Sequence, residues 1–114
     1  MINANYTQVL GADGNLAIGM IPPTNIGGWS LQFTLYERWL ATSGLLVKSC
    51  ASGFAGSGNL SGIVVTNSGN GQFNIPIRAQ DSSGLNSQVY VYQVERTDSG
   101  FVTPLVQGNF LFKP

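Results

Sequence analysis

Few side chains in this sequence can do covalent or proton-transfer chemistry. The carboxylates are Asp13, Glu37, Asp81, Glu95 and Asp98; the cations are Arg38, Lys48, Arg78, Arg96 and Lys113; there is one cysteine, Cys50, and no histidine. Without histidine, Ser-His-Asp and Cys-His arrangements are impossible, and so are the common zinc sites built on several His or Cys ligands. A Ser-Lys pair could use only Lys48 or Lys113, and nothing around either marks the desolvated cleft that a nucleophilic serine needs. A carboxylate pair for glycoside chemistry would have to come from the same five acids. Two of them stand beside arginines, in Glu37-Arg38 and Glu95-Arg96. Neighbours along a strand point to opposite faces, so the expected role of these dipeptides is cross-strand pairing with each other.

Other motif-like stretches are as unpromising for chemistry. Gly56-Ser57-Gly58-Asn59-Leu60-Ser61-Gly62 imitates a phosphate-binding loop, but a strand pattern follows it where a helix N-terminus is required. It reads as a plain loop. Asn5-Tyr6-Thr7 and Asn59-Leu60-Ser61 match the glycosylation pattern and carry no meaning without secretion. The opening MINANYTQVLGADG lacks a signal peptide's basic and apolar regions, and no apolar run approaches the roughly 18 residues of a membrane span. One cysteine excludes an internal disulfide and fits a reducing compartment, where it would act as a small hydrophobe. The expectation is a non-enzyme without metal or cofactor.

The elements that position these residues follow from punctuation and period. A chain of 114 residues is expected to form a single domain, 1–114. Only 9% of it is charged, with five cations against five anions, where about a quarter is usual. Such a surface has no footprint for nucleic acid or an anionic membrane, and little charge to keep copies apart. Glycine and polar clusters recur about every ten residues, the rhythm of a sandwich or barrel. Strands are expected over Asn15 to Ile21, ended by Pro22-Pro23, and over the alternation Trp29, Leu31, Phe33, Leu35. Further strands are expected at Leu45 to Ala51, Ile63 to Thr66, Phe73 to Ile77, Val89 to Arg96 and Phe101 to Phe112. Phe73, Ile75 and Ile77 should face inward and Gln72, Asn74, Pro76 and Arg78 outward, with Pro76 marking an edge strand or bulge. Gln80 to Leu85 suits one helical turn that Asp81 can cap. Phe33, Phe73, Tyr90, Tyr92, Phe110 and Phe112 fall on core positions. The fold expected is an all-β, immunoglobulin-like antiparallel sandwich of about seven strands.

The second half, Gly71 to Pro114, carries a family pattern. It has Gly71 and Phe73 opening a strand, Asp81-Ser82 before Leu85, the Tyr90-x-Tyr92 strand, an Asp98-x-Gly100 hairpin, and a closing strand with Gly108, Phe110, Phe112 and terminal Pro114. This resembles the Ig-like domain at the amino end of phage baseplate upper proteins and of related phage tail, fibre and head proteins. Ile26-Gly27-Gly28-Trp29 with Leu31 and Phe33 resembles the start of that family's second strand. The resemblance implies a virion protein made in the host cytoplasm, docked on the capsid or on the tail or baseplate as a decoration, fibre or adaptor. The implied partners are other virion proteins and copies of itself, in a homo-oligomer or repeated array. Baseplate proteins continue past the point matching Pro114, which shifts the expectation towards a decoration or tail accessory. The candidate interface residues are Tyr36, Trp39, Leu40, Phe54 and Phe101, aromatic and apolar groups placed at strand ends and loops. The competing expectation is a carbohydrate- or receptor-binding module in which Trp39, Phe54 or Tyr36 stacks on a sugar ring.

Overall fold

The computed structural model describes residues 2–39, 44–50, 62–97 and 102–114, with only the backbone of Cys50. Nine strands are present among them: β1 (Ile2–Asn3), β2 (Tyr6–Val9), β3 (Gly14–Gly19), β4 (Leu31–Tyr36), β5 (Leu46–Cys50), β6 (Val64–Asn67), β7 (Gln72–Ile77), β8 (Val89–Arg96) and β9 (Thr103–Lys113). The larger sheet runs β1-β9-β8-β4-β5, with β2 also on β9, and the smaller runs β3-β7-β6. The chain changes sheet between β2 and β3, β3 and β4, β5 and β6, and β7 and β8, so the two sheets are built from interleaved segments.

Strands β3 to β9 are the seven expected ones; β1 and β2 are additional. They lie parallel to β9 along one edge, Ile2 opposite Val106 and Tyr6 opposite Phe110, whereas the other pairings are antiparallel. Alternation of Ile2, Ala4, Tyr6, Gln8 and Leu10 underlies this edge. Its signal is masked by Gln8, which is buried, and Val9, which is exposed. The Gln8 amide donates to Ala12 O (2.9 Å) and Ile77 O (3.2 Å), tying the large-sheet edge to β7 of the small sheet.

One apolar cluster fills the space between the sheets. It includes Leu31, Phe33 and Leu35 from β4, Phe73, Ile75 and Ile77 from β7, Tyr90, Tyr92 and Val94 from β8, and Phe110 and Phe112 from β9. All six aromatics assigned to the core by alternation are buried. Phe33, Tyr92 and Phe110 meet with ring centroids 5.6–6.4 Å apart, the tilted and edge-on geometry that ring quadrupoles favour.

Two expectations fail for backbone reasons. Pro76 is buried and sits in β7, the central strand of the small sheet, opposite Asn15. Asn15 donates its N–H to Tyr6 Oη (3.1 Å), away from β7, so this pair exchanges no ladder bonds and the proline nitrogen faces the β6 side. Pairing with β6 stops at Asn74, and the missing N–H therefore costs nothing. Glu37-Arg38 and Glu95-Arg96 cannot pair, because β4 and β8 are antiparallel with Gln32 opposite Glu95 and Tyr36 opposite Val91. The two dipeptides lie at opposite ends of the sheet. Arg96 instead stacks on Trp29, its guanidinium carbon 4.3 Å from the ring centroid.

The expected helical turn after β7 is present but lies earlier, with Arg78 at its N-cap and Asp81 inside it. Ala79–Ser82 form a short 3-10 turn, and Asp81 Oδ2 accepts the Arg78 N–H at 2.8 Å, capping its start from within. The same oxygen takes Lys48 Nζ at 2.8 Å, with Lys48 only 4% exposed. Lys48 points inward because it shares the face of Phe33, its neighbour across the ladder.

Candidate functional site

Among the described residues, four of the ionisable side chains are tied into the fold around the turn after β7. Asp81 holds Lys48 and the Arg78 N–H, while Asp13 accepts the Ala79 N–H (2.8 Å) and lies 3.5 Å from Arg78. Tyr92 Oη donates to Ala4 O at 2.6 Å, and burial pushes its pKa up to about 12. A lysine engaged with a carboxylate at 2.8 Å is not free to activate a serine.

What remains is surface, and the larger sheet supplies its most distinctive face. In β4, Leu31, Phe33 and Leu35 point to the core, so Gln32, Thr34 and Tyr36 point outward. The register then fixes the outer rows: Tyr36 lies beside Val91, and Val91 beside Asn109. Leu45, whose N–H bonds Leu35 O (2.7 Å), extends this row past Tyr36. The next row is Val47, Thr34, Gln93 and Gln107, and on the other side Val89 sits beside Leu111. Val47, Val89 and Leu45 keep 54%, 53% and 45% of their surface open, and Trp39, just past the end of β4, keeps 48%. Leu45, Val47 and Val89 thus border or extend the Tyr36–Val91 row on the outer face. Val91, at 6%, forms the floor between Tyr36 and Asn109.

Of the expected interface residues, Tyr36 lies in this row, and Trp39 is half exposed just past the end of β4. Leu40, Phe54 and Phe101 lie outside the described residues. Leu45, Val47 and Val89 are not among the expected interface residues, which were aromatic and apolar groups at strand ends and loops. The signal was available: Leu45 and Val47 flank inward Leu46, and Val89 flanks inward Tyr90.

A second concavity lies on the outside of the smaller sheet, an open groove of roughly 240 Å³ lined by Ala17, Gly19, Thr66, Gln72 and Asn74 around Ile18. Its small floor and amide walls carry no charge.

No protein-family model matches the sequence, and no curated protein matches it significantly. Among solved structures, that of the NK cell receptor Nkp44, described as a triggering partner in natural cytotoxicity, aligns over 98% of this chain and 97% of that one. The TM-score is 0.53 and the identity 16%. At that identity the likeness is one of fold. The chain is an all-β, immunoglobulin-like sandwich. In its terms β3, β7 and β6 take the places of strands B, E and D, and β4, β5, β8 and β9 those of C, C′, F and G. Tyr90 makes the corner typical of this fold, its hydroxyl accepting the Asn86 N–H at 2.9 Å. Two residues on, where antibody domains carry a disulfide cysteine, stands Tyr92, whose ring packs among Phe33 and Phe110.

Proposed function

We propose that this chain is a non-enzymatic structural protein of a bacteriophage particle, an immunoglobulin-like module that docks on the capsid or on the tail or baseplate. The observation that carries the docking is the set of exposed apolar side chains on the larger sheet, Leu45, Val47 and Val89, on a protein with few charges. Exposed apolar patches of this kind mark contact surfaces. Covering the open halves of Leu45, Val47, Val89 and Trp39 would contribute roughly 1 kcal/mol each. Association itself costs at least about 4 kcal/mol, so one such contact is weak and a repeated array on a particle suits it. The phage assignment rests on the resemblance of Gly71 to Pro114, whose glycines and aromatics are fold positions here.

The test is to raise an antibody against the purified protein and to probe purified phage particles by mass spectrometry and labelled imaging. The proposal expects many copies at one repeated position. A chain found free in the lysate and absent from particles overturns it. Trp39, half exposed just past the end of β4, favours one second reading, a carbohydrate- or receptor-binding module with the indole stacked on a sugar. Equal glycan-array binding by wild type and Trp39→Ala removes that reading.

A further inference from the structure

We propose that the occupant of the large-sheet face is a second copy of this chain, docked about a two-fold axis that runs across the strands along the Tyr36–Val91 row. The inference rests on the docking role proposed above and adds the partner and its orientation. Five cations balance five anions, so two copies approach without net repulsion. The charges on the face are arranged for one orientation. Glu95, opposite outward Gln32, points outward four residues beyond Val91 on β8; Lys113 points outward four residues beyond Asn109 on β9, which runs the other way. The two therefore flank the Val91–Asn109 row at about 13 Å on opposite sides, on adjacent strands about 5 Å apart. Neither is in an ion pair among the described residues.

Two identical faces meeting with two-fold symmetry need an axis in the plane of the face. An axis parallel to the strands would stack Glu95 on Glu95 and Lys113 on Lys113. An axis across the strands reverses strand direction, sets the Glu95 end of each copy over the Lys113 end of the other, and lays the Leu45–Tyr36–Val91 row on its own copy. Like charges directly opposed are unfavourable and opposite charges favourable, so the crossed axis is selected. Each dimer then holds two equivalent Glu95–Lys113 pairs.

Sedimentation of the purified chain from about 1 μM to about 1 mM, spanning weak to moderate affinities, tests this directly. Wild type should dimerise. E95K and K113E should each weaken the dimer about tenfold, since either change converts both pairs to repulsion, and the E95K/K113E double variant should restore it. Leu45→Asp, on the row that meets its own copy and away from both charges, should abolish it. Both charged side chains are at the surface, so unchanged thermal melts will certify folding. A wild type that stays monomeric throughout, or a double variant as weak as the singles, overturns the proposal. A monomer that still binds phage particles does so while leaving the docking role intact; a dimer that binds none overturns that role and leaves the two-fold pair standing.

Discussion

Single residues set the tightest constraints where the N-terminal edge crosses β9. A Cβ on Gly108 would collide with the carbonyl group of Ala4, a backbone atom that can move only if β1 moves. Gly108→Ala should cost roughly 2–3 kcal/mol and expose the amides of Ile2 to Asn5 to hydrogen exchange; unchanged stability and protection would show that β1 does not hold this position. Next to it, Tyr92 donates to the same carbonyl, and its pKa stands above the usual 10.0, at about 12. A tyrosine with a raised folded pKa stabilises fully below pH 10 and loses that contribution as pH rises towards 12, because the folded state holds the proton longer than the unfolded state does. Denaturant midpoints should therefore fall between pH 10 and 12 by an amount on the order of 2 kcal/mol. Tyr92→Phe should cost about 1 kcal/mol at pH 7 and flatten that alkaline decline. A decline of equal depth in the variant would assign it to other groups.

Between elements, the buried Lys48–Asp81 pair joins β5 of the large sheet to the turn that leads from the small sheet into β8. Removing one partner strands the other charge. Asp81→Ala should cost roughly 3 kcal/mol, more than Lys48→Met, because Asp81 is the less buried of the two and keeps the Arg78 N–H. Lys48→Met with Asp81→Ala should cost less than the sum, and an additive double-mutant cycle would deny the coupling. This link also shows what a sequence can carry. The alternation of β4, β7, β8 and β9 is regular enough to place every core aromatic, and the spacing of glycine and polar turns yields seven of the nine strands. The inward Lys48 was not legible, because a lysine in an alternating run reads as a solvent position until the turn carrying its carboxylate is placed beside it. Pro76 misled for a related reason: local sequence says that a proline avoids central strands, while only the register shows that β6 has already ended. Half of the candidate site was legible too. Tyr36 and Trp39 stand out as aromatics at a strand end, whereas Leu45, Val47 and Val89 look like core residues until the sheet shows which parity faces out.

At the scale of the whole molecule, a net-neutral, histidine-free sandwich exposes Leu45, Val47 and Val89 on the larger sheet, and the proposed role is contact through that face. The aromatic cluster around Tyr92 fills between the sheets the place that an inter-sheet disulfide takes in antibody domains. The claim that contact occurs through the larger sheet, copy to copy, is open to one direct measurement. In a mixture of isotopically labelled and unlabelled protein, filtered nuclear Overhauser effects report only contacts between copies. The account predicts them from the Val47, Val89 and Val91 methyl groups and the Tyr36 ring; contacts confined to Ala17, Thr66 and Asn74 on the smaller sheet, or none at millimolar concentration, would contradict it.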